Sequence, residues 1–132
     1  MISYDEFAKV EIKVGKILSA EKIPDTDKLL KLSVDFGLKD SLVVETKATA
    51  EDVALQPSKQ EPDIRQIVSG ISAYFPDPEV LVGKKCMFVT NLEPRKIRGY
   101  ESNGMLFAVS TPEGAFSLLE PADAIPPGAK AK

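Results

Sequence analysis

Histidine and tryptophan are absent from this chain, and cysteine occurs once. Without histidine there is no Ser-His-Asp or Cys-His site and no imidazole ligand for a metal. The lone Cys86 cannot close an internal disulfide, which fits a reducing cytoplasm. No apolar run approaches the roughly 20 residues that a membrane-spanning helix needs. The first residues, Met1 to Glu6, lack the basic-then-apolar order of a signal peptide. Three tyrosines and six phenylalanines are the only aromatics. That is thin for a protein built to stack single strands, and it favours recognition of backbone and shape. No paired acid/base motif emerges either, so an enzyme is not expected. Asp25 and Asp27 open like a calcium loop, but Leu30 and Phe36 stand where its glycine and glutamate belong.

What is present is 132 residues with a net charge of −3, a length for one domain with its own core. The charge is unevenly placed. Residues 38–63 hold three lysines against six acidic residues, and the rest of the chain is balanced. Local basic patches therefore count for more than the total.

Ser3 with Glu6 forms a capping-box pattern, which predicts a short helix over residues 4–9. Val10, Ile12, Val14 and Ile17 then near-alternate with Glu11, Lys13 and Lys16, the pattern of a half-buried strand with Gly15 as a bend or bulge. Residues 24–27 make a turn. Leu30, Leu32, Val34 and Phe36 alternate as a second strand that Gly37 stops. Residues 65–71 form a third. Asp77, Pro78 and Gly83 cap, start and end a short helix over 76–83. Residues 85–92 and 105–110 are the fourth and fifth strands, 116–119 a further short one, and 121–132 an extended surface tail. Within the acidic segment, 42–44 read as a strand, 49–55 as a helical turn capped by Thr49, and 56–62 as a mobile loop. Five short strands with a small helix between the third and fourth suggest an all-β, Greek-key barrel of the oligonucleotide/oligosaccharide-binding (OB) type. Pattern alone leaves it one of several small β-barrels.

Between the last two principal strands lies the run from Asn91 to Met105, with Arg95, Lys96 and Arg98 on a turn-rich connection. Charge on a loop carried by a rigid sheet is a common place for recognition. Arginine's planar fork suits two phosphate oxygens and lysine supplies a point charge; the alternative is an ordinary solvated turn. Asn91 and Ser102 flank the run. Each has two readings: a bond to phosphate or ribose 2′-hydroxyl, or a bond to local backbone. Met105 is either an exposed apolar contact or the first core residue of the fifth strand. Gly99 and Gly104 serve turn geometry. Lys28 and Lys31, after the first strand connection, are either part of the same face or a solvated strand edge. Tyr74 could stack a base, Phe75 fits the core, and Cys86 reads as a small core hydrophobe.

Several runs also carry a resemblance: Val14-Gly-Lys-Ile17, Asp27-Lys-Leu29, Leu32-Ser-Val-Asp35, Arg65-Gln-Ile-Val-Ser-Gly-Ile71, Leu81-Val-Gly-Lys84, Asn91-Leu-Glu-Pro-Arg95, Gly99 and Ser102-Asn-Gly-Met105. In this order and spacing they resemble the tRNA-binding domain family. That family includes standalone bacterial tRNA-binding proteins, the C-terminal domain of methionyl-tRNA synthetases, and cytokine-like domains of eukaryotic synthetase complexes. The resemblance implies a single OB-fold domain over 1–132, with short helices and N- and C-terminal extensions. It implies a homodimer that grips tRNA by shape and has no catalytic residues and no cofactor. Its RNA face would hold Lys28, Asn91, Arg95, Lys96, Arg98, Ser102 and Met105. An aminoacyl-tRNA synthetase or a client polypeptide is the alternative partner. The opening methionine favours the standalone kind. One departure from the family is the long acidic insertion at about 38–63, where relatives connect the second and third strands by a few residues.

Overall fold

The computed structural model describes residues 1–38 and 61–132. The elements expected within 42–44 and 49–55, and all but the end of the 56–62 loop, lie outside those residues. Ser3 and Glu6 do close a capping box. Ser3 Oγ accepts from the Glu6 amide at 3.2 Å, and Glu6 Oε1 accepts from the Ser3 amide at 3.0 Å. The helix they open, α1 (Tyr4–Phe7), lasts one turn rather than six residues. None of its residues is buried, so packing does not extend it.

Nine strands follow among the described residues: β1 (Ile12–Lys22), β2 (Leu30–Leu38), β3 (Pro62–Ser69), β4 (Lys85–Val89), β5 (Arg95–Ile97), β6 (Tyr100–Ser102), β7 (Met105–Leu106), β8 (Ala108–Ser110) and β9 (Phe116–Leu118). Five form one antiparallel sheet in the order β3-β2-β1-β4-β7, and β5–β6 and β8–β9 form two hairpin ribbons. The large sheet curls until β3 meets the segment that joins β6 to β7. The Asn103 amide donates to Gln66 O at 2.9 Å, and the Val68 amide donates to Ser102 Oγ at 3.0 Å. The result is the all-β, OB-like barrel that the strand pattern anticipates.

The alternation in β2 explains the core. Leu30, Leu32, Val34 and Phe36 point inward, while Lys31, Ser33 and Asp35 face out. The inward set packs with Ile17, Ile67, Leu81, Cys86 and Phe88. Phe36 and Phe88 meet edge to face at 5.3 Å. Each such side chain contributes about 1.5–3 kcal/mol on burial.

Gly15 is not the bulge. The register shift in β1 falls between Ile17 and Ser19. Gly15 instead sits in a regular ladder opposite Cys86, where a Cβ would lie 2.5 Å from Val34 Cγ1 and 2.7 Å from Phe36 Cε1. Glycine is required there by the Val34 and Phe36 side chains that crowd its face. Gly15→Ala should therefore destabilise the fold by about 1–3 kcal/mol, read as a lower urea midpoint at unchanged m value. An unmoved midpoint would show that the core yields at this point.

Gly37 does not end its strand. It takes φ +85° in a bulge between Asp35 and Leu38, with Asp35 Oδ1 accepting from its amide at 2.8 Å. The tail is more than a surface extension. Gly128 and Ala131 donate to Val14 O and Ile12 O, and Ala129 O accepts from Val14. It fills the edge of β1 that β2 leaves free. The helix expected over 76–83 is a 3-10 turn (Pro78–Leu81), capped by Asp77 as anticipated; its buried Leu81 joins the barrel core. A second such turn, Ser72–Tyr74, has no signal in the sequence. The fourth strand stops at Val89 rather than at residue 92. The fifth divides at Phe107, because β7 pairs with β4 while β8 turns away to pair with β9. Among the described residues no helix is long and apolar enough to cross a membrane.

Candidate nucleic-acid interface

The basic run between β4 and β7 is a β-hairpin rather than an irregular turn. Arg95 pairs with Ser102, Lys96 with Glu101 and Ile97 with Tyr100. Arg98 and Gly99 connect the strands with φ of 53° and 86°. Positive φ at both central positions is the signature of the type I′ turn, whose twist matches the paired strands. Gly99 adopts it freely. For Arg98 the left-handed conformation costs roughly 1–2 kcal/mol.

Strand alternation then distributes the charges. Arg95, Ile97, Tyr100 and Ser102 share one face of the ribbon, and Lys96 and Glu101 share the other. Arg95 and Lys96 thus point to opposite sides, with Arg98 at the tip. All three are exposed, and none of their side chains makes a hydrogen bond or ion pair among the described residues. Lys31 Nζ lies 5.5 Å from the Tyr100 ring centroid and 3.4 Å from Glu21 Oε1. That approach brings the outer face of β2 and the hairpin together. Lys28 is exposed in the β1–β2 connection, its carbonyl held by the Ser72 amide at 3.0 Å. Met105 is 45% exposed in β7, opposite Val89, so it is not a core residue.

Asn91 and Ser102 are bonded inside the protein. Asn91 Oδ1 accepts from the Glu11 amide at 2.8 Å, and its Nδ2 donates to Lys9 O at 2.6 Å. This clips the N-terminal segment to the root of the hairpin. Ser102 is buried; its hydroxyl accepts from Val68 and donates to Gly104 O at 3.1 Å.

Sequence reasoning misses Arg65. Its guanidinium forks onto Asp63 (Nε to Oδ1 3.0 Å, Nη2 to Oδ2 3.1 Å), and Nη1 donates to Thr90 O at 2.6 Å and Asn103 O at 3.2 Å. One side chain thereby holds both ends of the segment that carries the hairpin. The available signal is a pair of opposite charges two residues apart on a strand, hence on one face. Thr90 extends the network, donating to Glu11 Oε1 at 2.6 Å. This hydroxyl is the main reason that the Glu11 carboxyl sits below its ordinary 4.5. Burial opposes the shift, and Lys13, Lys130 and Arg65 assist it. A carboxyl depressed on folding stabilises above its unfolded pKa and loses that contribution as pH falls through the folded value. Glu11→Gln should therefore lower the melting temperature by a few degrees at neutral pH, with the gap closing as the pH falls through the titration of the folded carboxyl. A pH-independent gap would mean that the charge is not what matters.

Tyr74 stacks on Phe116 at 4.0 Å, and Phe75 meets the same ring edge-on at 5.8 Å against the core. Cys86 is buried and its thiol is pushed up to about 11, chiefly by burial, as an inert core residue requires.

A family model described as "Putative tRNA binding domain" matches residues 55–130. Methionine–tRNA ligase of Methanoregula boonei is 45% identical over 130 residues, which cover 98% of this chain. The chain spans only 15% of that enzyme's length. The crystal structure of a MetRS related protein from Pyrococcus horikoshii superposes with a TM-score of 0.76 at 38% identity, covering 100% of this chain and 98% of the other. The CsaA chaperone protein of Picrophilus torridus superposes with a TM-score of 0.72 at 26% identity, with all of both chains covered.

Proposed function

The chain belongs to the tRNA-binding domain family, and from that premise we propose that it is a non-catalytic module that binds folded tRNA through the β5–β6 hairpin. The observation that carries this reading is the set of three cations, Arg95, Lys96 and Arg98, without partners among the described residues, on a ribbon whose tip arginine is held in a strained conformation. Strain at an exposed loop tip clusters where function needs a particular geometry. The hairpin projects guanidinium and ammonium groups toward phosphates while the barrel fixes their spacing. Lys28 in the β1–β2 connection and Lys31 on the outer face of β2 extend the charge, and the exposed Met105 of β7 offers an apolar surface. Asn91 and Ser102 contribute by fixing the hairpin root. Asn91→Ala should therefore weaken tRNA binding several-fold while the dependence on salt keeps its slope, since every phosphate keeps its cation. A changed slope would instead indicate that Asn91 orders a phosphate-binding cation.

In this reading the chain is a single cytoplasmic domain, auxiliary to aminoacylation or tRNA chaperoning. It acts as a homodimer through the exposed Ile2, Tyr4, Phe7 and Val10 of the N-terminal segment. The acidic insertion at about 38–63 tempers the RNA face. The same exposed residues, with the likeness to a chaperone, favour a second reading, a module that docks onto a synthetase or client polypeptide. Deleting residues 39–60, which spares the paired ends of β2 and β3 and the Asp63 partner of Arg65, separates the two. Tighter tRNA binding supports an electrostatic gate, and loss of a protein partner with tRNA binding intact supports docking. The main reading is tested by titrating folded tRNA, unfolded tRNA and duplex DNA at two salt concentrations. Folded tRNA should bind tightest at both; equal affinity for the duplex would overturn it.

A further inference from the structure

Beside the hairpin root runs a groove lined by Ile64, Arg65, Gln66, Leu92, Pro94 and Asn103. Its walls combine two kinds of surface. Ile64 and Leu92 are 51% and 48% exposed, which leaves apolar area in water at the foot of a charged ribbon. Arg65 adds a rigid floor and no free charge, because Asp63, Thr90 O and Asn103 O take its donors.

The rim is polar and has unused capacity. The backbone of Asn103 is held on both sides, its amide on Gln66 O and its carbonyl on Arg65. Its side-chain amide makes no hydrogen bond among the described residues. Gln66 gives Nε2 to Glu101 O at 2.9 Å, which leaves its Oε1 free to accept. A fixed backbone thus presents free amide N–H donors and two acceptor oxygens above an apolar wall. Pro94 leads directly into Arg95, so a cation stands next along the chain.

We infer that this groove is a subsite for one unpaired nucleotide of the bound RNA, with the base against Ile64, Leu92 and Pro94 and its edge read by Asn103 and Gln66. The inference rests on the tRNA-binding reading and deepens it. A purely apolar ligand would bury the Asn103 amide and the Gln66 oxygen without partners, which is costly. A bare anion would face the Gln66 oxygen and find the Arg65 charge already taken by Asp63. A neutral, planar ring with donors and acceptors on its edge fits both surfaces, and the adjacent Arg95 suits the phosphate of the same nucleotide. Paired bases have their edges occupied, so the subsite selects loops, bulges or ends.

Asn103→Ala tests it, because the side chain makes no bond to the described residues. Affinity for folded tRNA should fall about tenfold, the scale of one well-placed amide-to-base pairing, at an unchanged salt slope. Affinity for fully paired duplex RNA should not move. Asn103→Leu, of similar shape, gives a second variant should the alanine chain melt early. A folded variant that binds tRNA like the wild type overturns the subsite, as does an equal loss on duplex RNA. Wild-type chain that fails to bind tRNA at all removes both this inference and the reading beneath it. Wild-type binding with an unaffected Asn103 variant removes only this one.

Discussion

Reversing Arg95 and Lys96 together to glutamate should reduce tRNA affinity by about a hundredfold or more, given roughly 1.5–3 kcal/mol for each hydrogen bond to a charged group. Two phosphates are left without their cations, and two like charges face them instead. The plot of log affinity against log salt should flatten by about one unit for each phosphate that is no longer neutralised. Both side chains are exposed on a hairpin held from its root, so the variant should fold normally. The two single reversals should differ. Lys96 already stands opposite Glu101 on its face of the ribbon, whereas Arg95 lies on the face that carries Tyr100, which Lys31 approaches. Arg95→Glu should cost more than Lys96→Glu. A folded double variant with unchanged affinity would remove the hairpin from the interface.

Arg65→Leu should be the most damaging single change to stability, by about 2–4 kcal/mol, somewhat less than the full cost of orphaning a buried charge because the guanidinium is partly exposed. The Asp63 side chain is only 14% exposed and would lose its partner. The Thr90 and Asn103 carbonyls would each lose a donor, and both lie at the ends of the hairpin segment. RNA affinity should fall as a consequence, through a loosened root. Replacing Asp63 by leucine as well should recover part of the loss, since the uncompensated carboxylate then disappears. The readout is the urea midpoint of the two singles and the double. A midpoint shift worth less than about 1 kcal/mol for Arg65→Leu would show that the network is replaceable.

The barrel is legible where a local pattern decides the outcome. Leu30, Leu32, Val34 and Phe36 alternate without a break, and an inward face of that kind has one way to be buried. Asp77 and Pro78 mark the start of a turn in the same way, because capping is settled within three residues. The features that escape a sequence reading depend on partners far away in the chain. Whether Gly15 is a bulge or a point of close approach is decided by Val34 and Phe36 of the neighbouring strand and Phe88 of β4. The split of the fifth strand depends on β9, and the docking of the tail depends on the free edge of β1. The hairpin reads as a turn-rich loop because arginine is not a residue that the type I′ turn prefers; only its glycine partner is a cue. For the basic run, composition and order name the cations, but not that alternation sends Arg95 and Lys96 to opposite faces. The internal roles of Asn91 and Ser102 require the positions of Lys9, Glu11 and Val68.

The most direct measurement is amide hydrogen exchange of the chain alone and with saturating folded tRNA. Exchange should slow in the hairpin, residues 95–103, and around Lys28 and Lys31. Protection confined to the N-terminal helix and the opposite side of the barrel, with the hairpin exchanging as freely as before, would contradict the assignment of this ribbon as the RNA-binding face.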